Sequence, residues 1–185
     1  MSTFRTPQII HLSAEAIERA KAFANAVTDT VDYRDSNQMR KKKIQDDHFI
    51  SKLGEEAVRM VFVARKCAVE GPDYAIYEKK QKSWVADLKI NDLDVAVKTQ
   101  RRSAANRYGL SWTFQDSPRR RDPILSMPEA WVCFVVYEDR KPDFECFVYP
   151  LRKVKQLIFE PPKLHHLAGK KRTVSMETLQ KHKIF

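Results

Sequence analysis

The 185-residue sequence predicts one domain of the α/β (α+β) class, a mixed central β-sheet flanked by helices. Three observations carry this expectation. Residues 84–100 hold two apolar runs around a polar turn, the pattern of a β-hairpin. Trp131–Tyr137, WVCFVVY, is almost continuously apolar, as in a strand buried on both faces. Ahead of both lie two stretches with apolar residues at helical spacing.

The first helix is expected from a cap at Ser13 to about Thr28, with Ala16, Ile17, Ala20, Phe23, Ala24 and Val27 on one face. Residues 30–47 are polar and include Arg40, Lys41, Lys42 and Lys43, a run that serves either as a solvated face or as a phosphate contact. The second helix is expected over residues 48–66, with Leu53, Ala57, Val58, Val61 and Phe62 as its buried stripe. Glu55 flanks that stripe. Glu56 aligns with Lys52, Arg59 and Lys66 on a largely polar face.

Gly71, Pro72 and Asp73 mark a turn before a short strand at residues 74–77. Past the hairpin, residues 101–108 read as a short basic helix closed by Gly109. Strands follow at Ser111–Gln115, Trp131–Tyr137 and residues 143–149, then a short helix at residues 152–158. Between the first two of these strands, residues 116–128 form a loop with Arg119, Arg120 and Arg121, suited to phosphate or guanine contacts or to a mobile solvated surface. Residues 161–185 read as a basic tail with one short helix at Met176–Lys181. The adjacent His165 and His166 have no carboxylate or cysteine at ligand spacing.

The formal net charge of +10 and pI near 9.6 favour an anionic partner, with nucleic acid the foremost. No marked amphipathic stretch carries the basic residues, which argues against a membrane surface. Cys67, Cys133 and Cys146 lack metal-ligand spacing and read as reduced residues of a cytoplasmic protein. No apolar run reaches membrane-spanning length and no signal peptide is visible.

The hairpin carries the chemistry. Side chains alternate along a strand, so Asp94, Ala96, Lys98 and Gln100 share one face. Folding about residues 91–94 sets Asp87 opposite Ala96, Val97 or Lys98, according to the loop register. An acid and a lysine on rigid strands form either an exposed ion pair or a place for a divalent metal and an attacking water.

The segments Gly54-Glu55-Glu56-Ala57-Val58, Pro72-Asp73-Tyr74, Ala86-Asp87-Leu88 and Val95-Ala96-Val97-Lys98-Thr99-Gln100, in this order, resemble the PD-(D/E)xK nuclease superfamily over about residues 49–149. The resemblance implies a restriction endonuclease-like core: a helix, a three-stranded meander, a helix and a further strand. It implies a Mg²⁺-dependent DNA endonuclease, with Mn²⁺ as an alternative ion. Residues 48–160 would form the nuclease core, after an N-terminal helix and basic segment (residues 1–47) and before the basic tail. Glu55 would be the acid of the first helix, Asp87 the central metal-binding acid and Lys98 the lysine of the (D/E)xK element. The Val97 carbonyl would be a further metal ligand, with Gln100 positioning water or substrate.

Lys41, Lys42, Lys43, Arg101, Arg102, Arg107, Arg119, Arg120 and Arg121 would contact DNA. Small nucleases of this type often act as dimers, so a homodimer is a further expectation. Asp73 matches the literal Pro-Asp pair but is less well spaced against Lys98. The chain departs from the pattern at Ala96, where an acid is expected. Either the acid comes from Glu55 or Asp94, or the protein binds nucleic acid without cutting it.

Overall fold

The computed structural model describes residues 4–27, 41–77, 86–118 and 120–185. It has mixed α/β architecture. In chain order the elements are β1 (Gln8–His11), α1 (Ala14–Val27), α2 (Lys41–Ala64), β2 (Val69–Glu70), β3 (Leu88–Ile90), β4 (Leu93–Arg101), α3 (Arg102–Tyr108), β5 (Ser111–Gln115), β6 (Trp131–Tyr137), β7 (Glu145–Val148), β8 (Arg152–Lys153), β9 (Lys171–Ser175) and α4 (Met176–Lys181). Short 3₁₀ turns occur at Pro123–Ser126, Val154–Gln156 and His165–Leu167.

The main sheet runs β1-β7-β6-β4-β3-β2, with β8 pairing β6. Strand β4 lies parallel to β6, in register Val97 to Cys133 and Lys98 to Phe134. The other pairings in this sheet are antiparallel. Strands β5 and β9 form a separate antiparallel pair.

Two cores follow from the two faces of β6 and β4. Cys133, Val135, Val95 and Val97 pack under α1 and α2 with Leu53, Ala57, Val58 and Phe62. Val132, Phe134, Val136 and Ala96 pack on the other face with Trp112 and Phe114 of β5 and Val174 of β9. The Trp112 and Phe134 rings stack at 4.4 Å between centroids, and Trp112 Nε1 donates to the Val135 carbonyl at 2.9 Å. The unbroken apolar run of β6 is therefore covered on both sides, as its sequence predicts.

The hairpin turn is tighter than expected. Ile90 pairs with Leu93, so only Asn91 and Asp92 form the loop. Both have positive φ, 46° and 63°, the requirement of a type I′ turn that matches strand twist. Leu93 and Asp94 therefore belong to β4. Of the expected first strand, residues 84–85 lie outside the described residues, and regular pairing begins only at Leu88.

Helix α1 follows the expected stripe, and Ser13 Oγ accepts the Ala16 amide at 3.3 Å. Helix α2 is described from Lys41, ahead of the expected start at residue 48, so the lysine triplet lies on it, exposed. Residues 74–77 do not form the expected strand. Asp73 turns back to accept the Ala75 amide at 2.8 Å, and the Tyr74 hydroxyl bonds α2 instead. The meander's first strand is β2, which pairs with Lys89 and Ile90. Residues 152–158 form β8 and a 3₁₀ turn in place of a helix. The C-terminal segment is no loose tail: β9 pairs with β5, and Val174, Met176 and Leu179 lie in the second core.

Candidate functional site

Register places Asp87 at the edge of β4. Leu88 faces Val95, so the next residue back lies beside Ala96, where the two strands part. The Asp87 carboxylate turns to this edge, and its Oδ2 accepts the Val97 amide at 2.8 Å. A strand residue sends its N–H and C=O out of the same edge, so the Val97 carbonyl opens toward Asp87 as well. The acid is thus anchored from the end of β3 to the short piece of β4 that carries the Val97 carbonyl and, as the next residue, Lys98.

Lys98 leaves β4 on the face toward β5. Its Nζ lies 2.6 Å from Asp122 Oδ2 and 4.8 Å from the centroid of Phe114. Asp122 sits on the loop after β5, and the same Oδ2 accepts the Gln115 amide at 3.1 Å. The Asp122 amide in turn donates to the Gln115 carbonyl at 2.9 Å. The carboxylate paired with Lys98 therefore comes from the arginine-bearing loop. Position 96, where sequence reasoning looked for an acid, is a buried alanine in the second core. Asp94, the other candidate, has a buried Oδ1 without a hydrogen-bond partner among the described residues.

Gln100, further along the same face, is bonded through both its amide nitrogen and its amide oxygen. It donates to the Gly109 carbonyl at 3.2 Å and accepts the Ser111 amide at 3.0 Å. These bonds tie α3 and β5 to β4, so Gln100 braces the wall of the site.

Glu55 approaches from the opposite face. Its neighbour Gly54 packs directly on Thr99, where an added Cβ would lie 1.9 Å from Oγ1. Glu55 is 3% exposed; Lys52 Nζ donates to it at 2.6 Å and Ser51 Oγ at 3.3 Å. Lys52 also lies over the rings of Phe23 and Tyr74, at 4.9 and 5.4 Å. Glu55 points inward as expected, but as half of a buried ion pair. Among the described residues no group of three His, Cys, Asp or Glu side chains is arranged to hold a metal ion.

Glu56 is also buried, at 1% exposure, which corrects its assignment to a polar face. Arg19 of α1 covers it, donating at 2.9 Å, together with Arg59 at 2.9 Å and the Tyr74 hydroxyl at 2.8 Å. Burial alone would raise this carboxyl. The hydrogen bonds from Arg59, Arg19 and Tyr74 outweigh it and hold Glu56 below its ordinary value.

A basic patch adjoins Asp122. Lys171 stands opposite Gln115 in the β5–β9 pair. Burial pushes its ammonium below the ordinary lysine value, and nearby Lys43 and Arg120 push the same way, against Asp47 and Asp122. Lys43 pairs with Asp47 at 3.0 Å.

The remaining expected DNA contacts are dispersed. Lys41 and Lys42 are exposed on α2. Arg101 lies 3.8 Å from Asp46 of α2. Arg102 reaches Glu138 at 3.3 Å and covers the Phe147 ring at 4.7 Å. Arg107 lies 5.2 Å from the Tyr108 ring, and Arg121 pairs with Asp116 at 3.2 Å. Arg119 lies outside the described residues.

Sequence reasoning missed Asp122, Lys171 and Lys52. Lys52 had a readable signal, since it stands three residues before Glu55 on a helix. Asp122 and Lys171 had none, because Asp122 meets Lys98, and Lys171 meets Asp122, only through the β5–β9 layer. Among the described residues no helix is long and apolar enough to cross a membrane. No protein-family model, curated protein or solved structure matches this chain.

Proposed function

We propose that this protein is a Mg²⁺-dependent DNA endonuclease with a PD-(D/E)xK, restriction endonuclease-like core. The observation that carries the reading is the Asp87 carboxylate on the Val97 amide at the parting edge of β4, one residue from Lys98. The order of elements supports it: helix α2, the antiparallel strands β2, β3 and β4, helix α3 and, after β5 of the separate pair, β6 parallel to β4. The net charge of +10 and the patch at Lys43, Arg120 and Lys171 suit a polyanion.

Mg²⁺ commonly takes one or two protein carboxylates and completes its shell with water and substrate phosphate. Asp87 and the Val97 carbonyl fit such a partial set. A bound divalent ion would supply a more acidic water and neutralise charge on the phosphate. Mn²⁺ offers the same chemistry. Lys98 would orient the attacking water and stabilise negative charge developing on the phosphate. Asp122 holds Lys98 in place for that role. Glu55, paired with Lys52 on α2, would be the acid that the first helix contributes. Cutting both strands calls for two such sites, so a homodimer on DNA belongs to the proposal. The free, partly or fully buried cysteines fit a reducing cytoplasm.

Incubation with supercoiled plasmid and Mg²⁺ tests this reading. Wild type should convert the plasmid to open or linear forms, and Asp87→Ala and Lys98→Ala should not. Equal cleavage by all three would remove Asp87 and Lys98 from the mechanism.

A second reading has its own observation. Ala96 supplies no acid and Lys98 is already paired with Asp122, as in a nuclease-fold protein that binds nucleic acid without cutting. Calorimetric titration with Mn²⁺ separates the two. The nuclease predicts binding that Asp87→Ala abolishes; the binding module predicts no carboxylate-dependent heat.

A further inference from the structure

We propose that a cavity beside Lys98 receives one unstacked nucleotide, so that the substrate is DNA carrying an unpaired base and not uniform duplex. The inference rests on the nuclease reading and narrows its substrate. The cavity holds about 180 Å³ and lies between the end of β4, β5 and the 3₁₀ segment near His165. Pockets for drug-sized ligands run from about 300 to 1,000 Å³, so this one admits a single ring system and excludes a base pair. Lys98 forms one wall. Whatever enters therefore lies against the same lysine that faces the scissile phosphate in the reading above.

The lining matches a nucleotide in both of its parts. Tyr108, Leu164 and Leu167 supply apolar and aromatic surface, the kind on which a base stacks whatever its identity. Tyr108 is 37% exposed, and Arg107 lies 5.2 Å from its ring. Lys163 on the lining supplies an ammonium group for a phosphate, while the Lys98 ammonium stays on Asp122 at 2.6 Å. Gly109, at φ +89°, adjoins Lys163: a Cβ there would lie 3.0 Å from its Nζ. A base inside a duplex cannot reach such a pocket, whereas a bulged or flipped one can.

Two duplexes of identical flanking sequence provide the test, one fully paired and one with a single bulged 2-aminopurine. Each is titrated with the full chain in EDTA, so that binding is read without cleavage. The bulged duplex should bind about tenfold more tightly, with quenching of the 2-aminopurine fluorescence as it stacks. Leu164→Trp fills the cavity from a partly exposed position. It should erase the preference while leaving affinity for the paired duplex within about twofold. Leu167→Trp, one turn along, should act the same way.

Equal affinity of wild type for both duplexes would overturn the inference and leave the nuclease reading standing. So would a preference that persists in both tryptophan variants. Failure to bind either duplex would overturn both.

Discussion

Gly54 shows how closely α2 is seated on the sheet. A methyl at this position would overlap Thr99 Oγ1, and neither backbone can yield without moving the helix off β4. Gly54→Ala should therefore cost about 1–3 kcal/mol, the usual range for overpacking, measured by urea unfolding. The hydroxyl it would meet is buried without a partner among the described residues. Thr99→Val should accordingly be neutral or stabilising by up to about 1 kcal/mol, since it removes an unpaired polar atom at nearly constant shape.

The cysteines give a second test at this scale. Cys133 and Cys146 are fully buried, and burial pushes both thiols up, Cys146 to about 12. Cys67 is partly exposed. One thiol per chain should react with a disulfide reagent in native protein and three after unfolding. Of the individual residues, Asp87 was placed by sequence only to within three partners, Ala96, Val97 or Lys98; the two positive-φ residues of the turn, Asn91 and Asp92, set the register that puts its carboxylate on the Val97 amide. Asp122 was not placed, because its partner lies on another strand and nothing local in the loop marks it as Lys98's acid.

Helix α2 shows what periodicity reveals and what it conceals. Its apolar stripe at Leu53, Ala57, Val58, Val61 and Phe62 was readable and is buried as read. Its charged face was misread, because a polar side chain was taken to need water. Arg19, Arg59 and Tyr74 replace that water around Glu56, and only tertiary contact with α1 reveals the replacement. Glu56→Gln should lower stability by roughly 2 kcal/mol at neutral pH, the scale of a charged hydrogen-bonded group whose arginines are still half solvated. The sign of the pH effect follows from its lowered value. The stabilisation is complete above the ordinary 4.5 and is lost as pH falls through the lower folded value. Unfolding curves from pH 7 to pH 3 should therefore converge for wild type and Glu56→Gln toward the acid end.

On the scale of the molecule, the mixed sheet was legible in the order of helices and strands, whereas the second layer was not. Strand β9 is basic and short, KRTVS, and reads as solvent-facing until β5 provides its partner. That layer brings Lys171 to Asp122 and makes the far wall of the site. A chain of charge +10 should bind DNA with a steep dependence on salt. Lys43→Ala and Lys171→Ala should each reduce the slope of log affinity against log salt by about one, if each contacts a phosphate. Unchanged slopes would place the DNA elsewhere on the surface.

The central claim is that hydrolysis belongs to the β4 edge and not to the literal Pro-Asp pair. Asp73 is occupied in its own turn, accepting the Ala75 amide at 2.8 Å and the Tyr77 hydroxyl at 2.9 Å. Asp87 stands on the Val97 amide beside Lys98. Mg²⁺-dependent plasmid cleavage by Asp87→Asn and Asp73→Asn, compared side by side, separates the two acids. The account predicts loss of cleavage in Asp87→Asn and wild-type cleavage in Asp73→Asn; the reverse pattern, or cleavage retained in both, would contradict it.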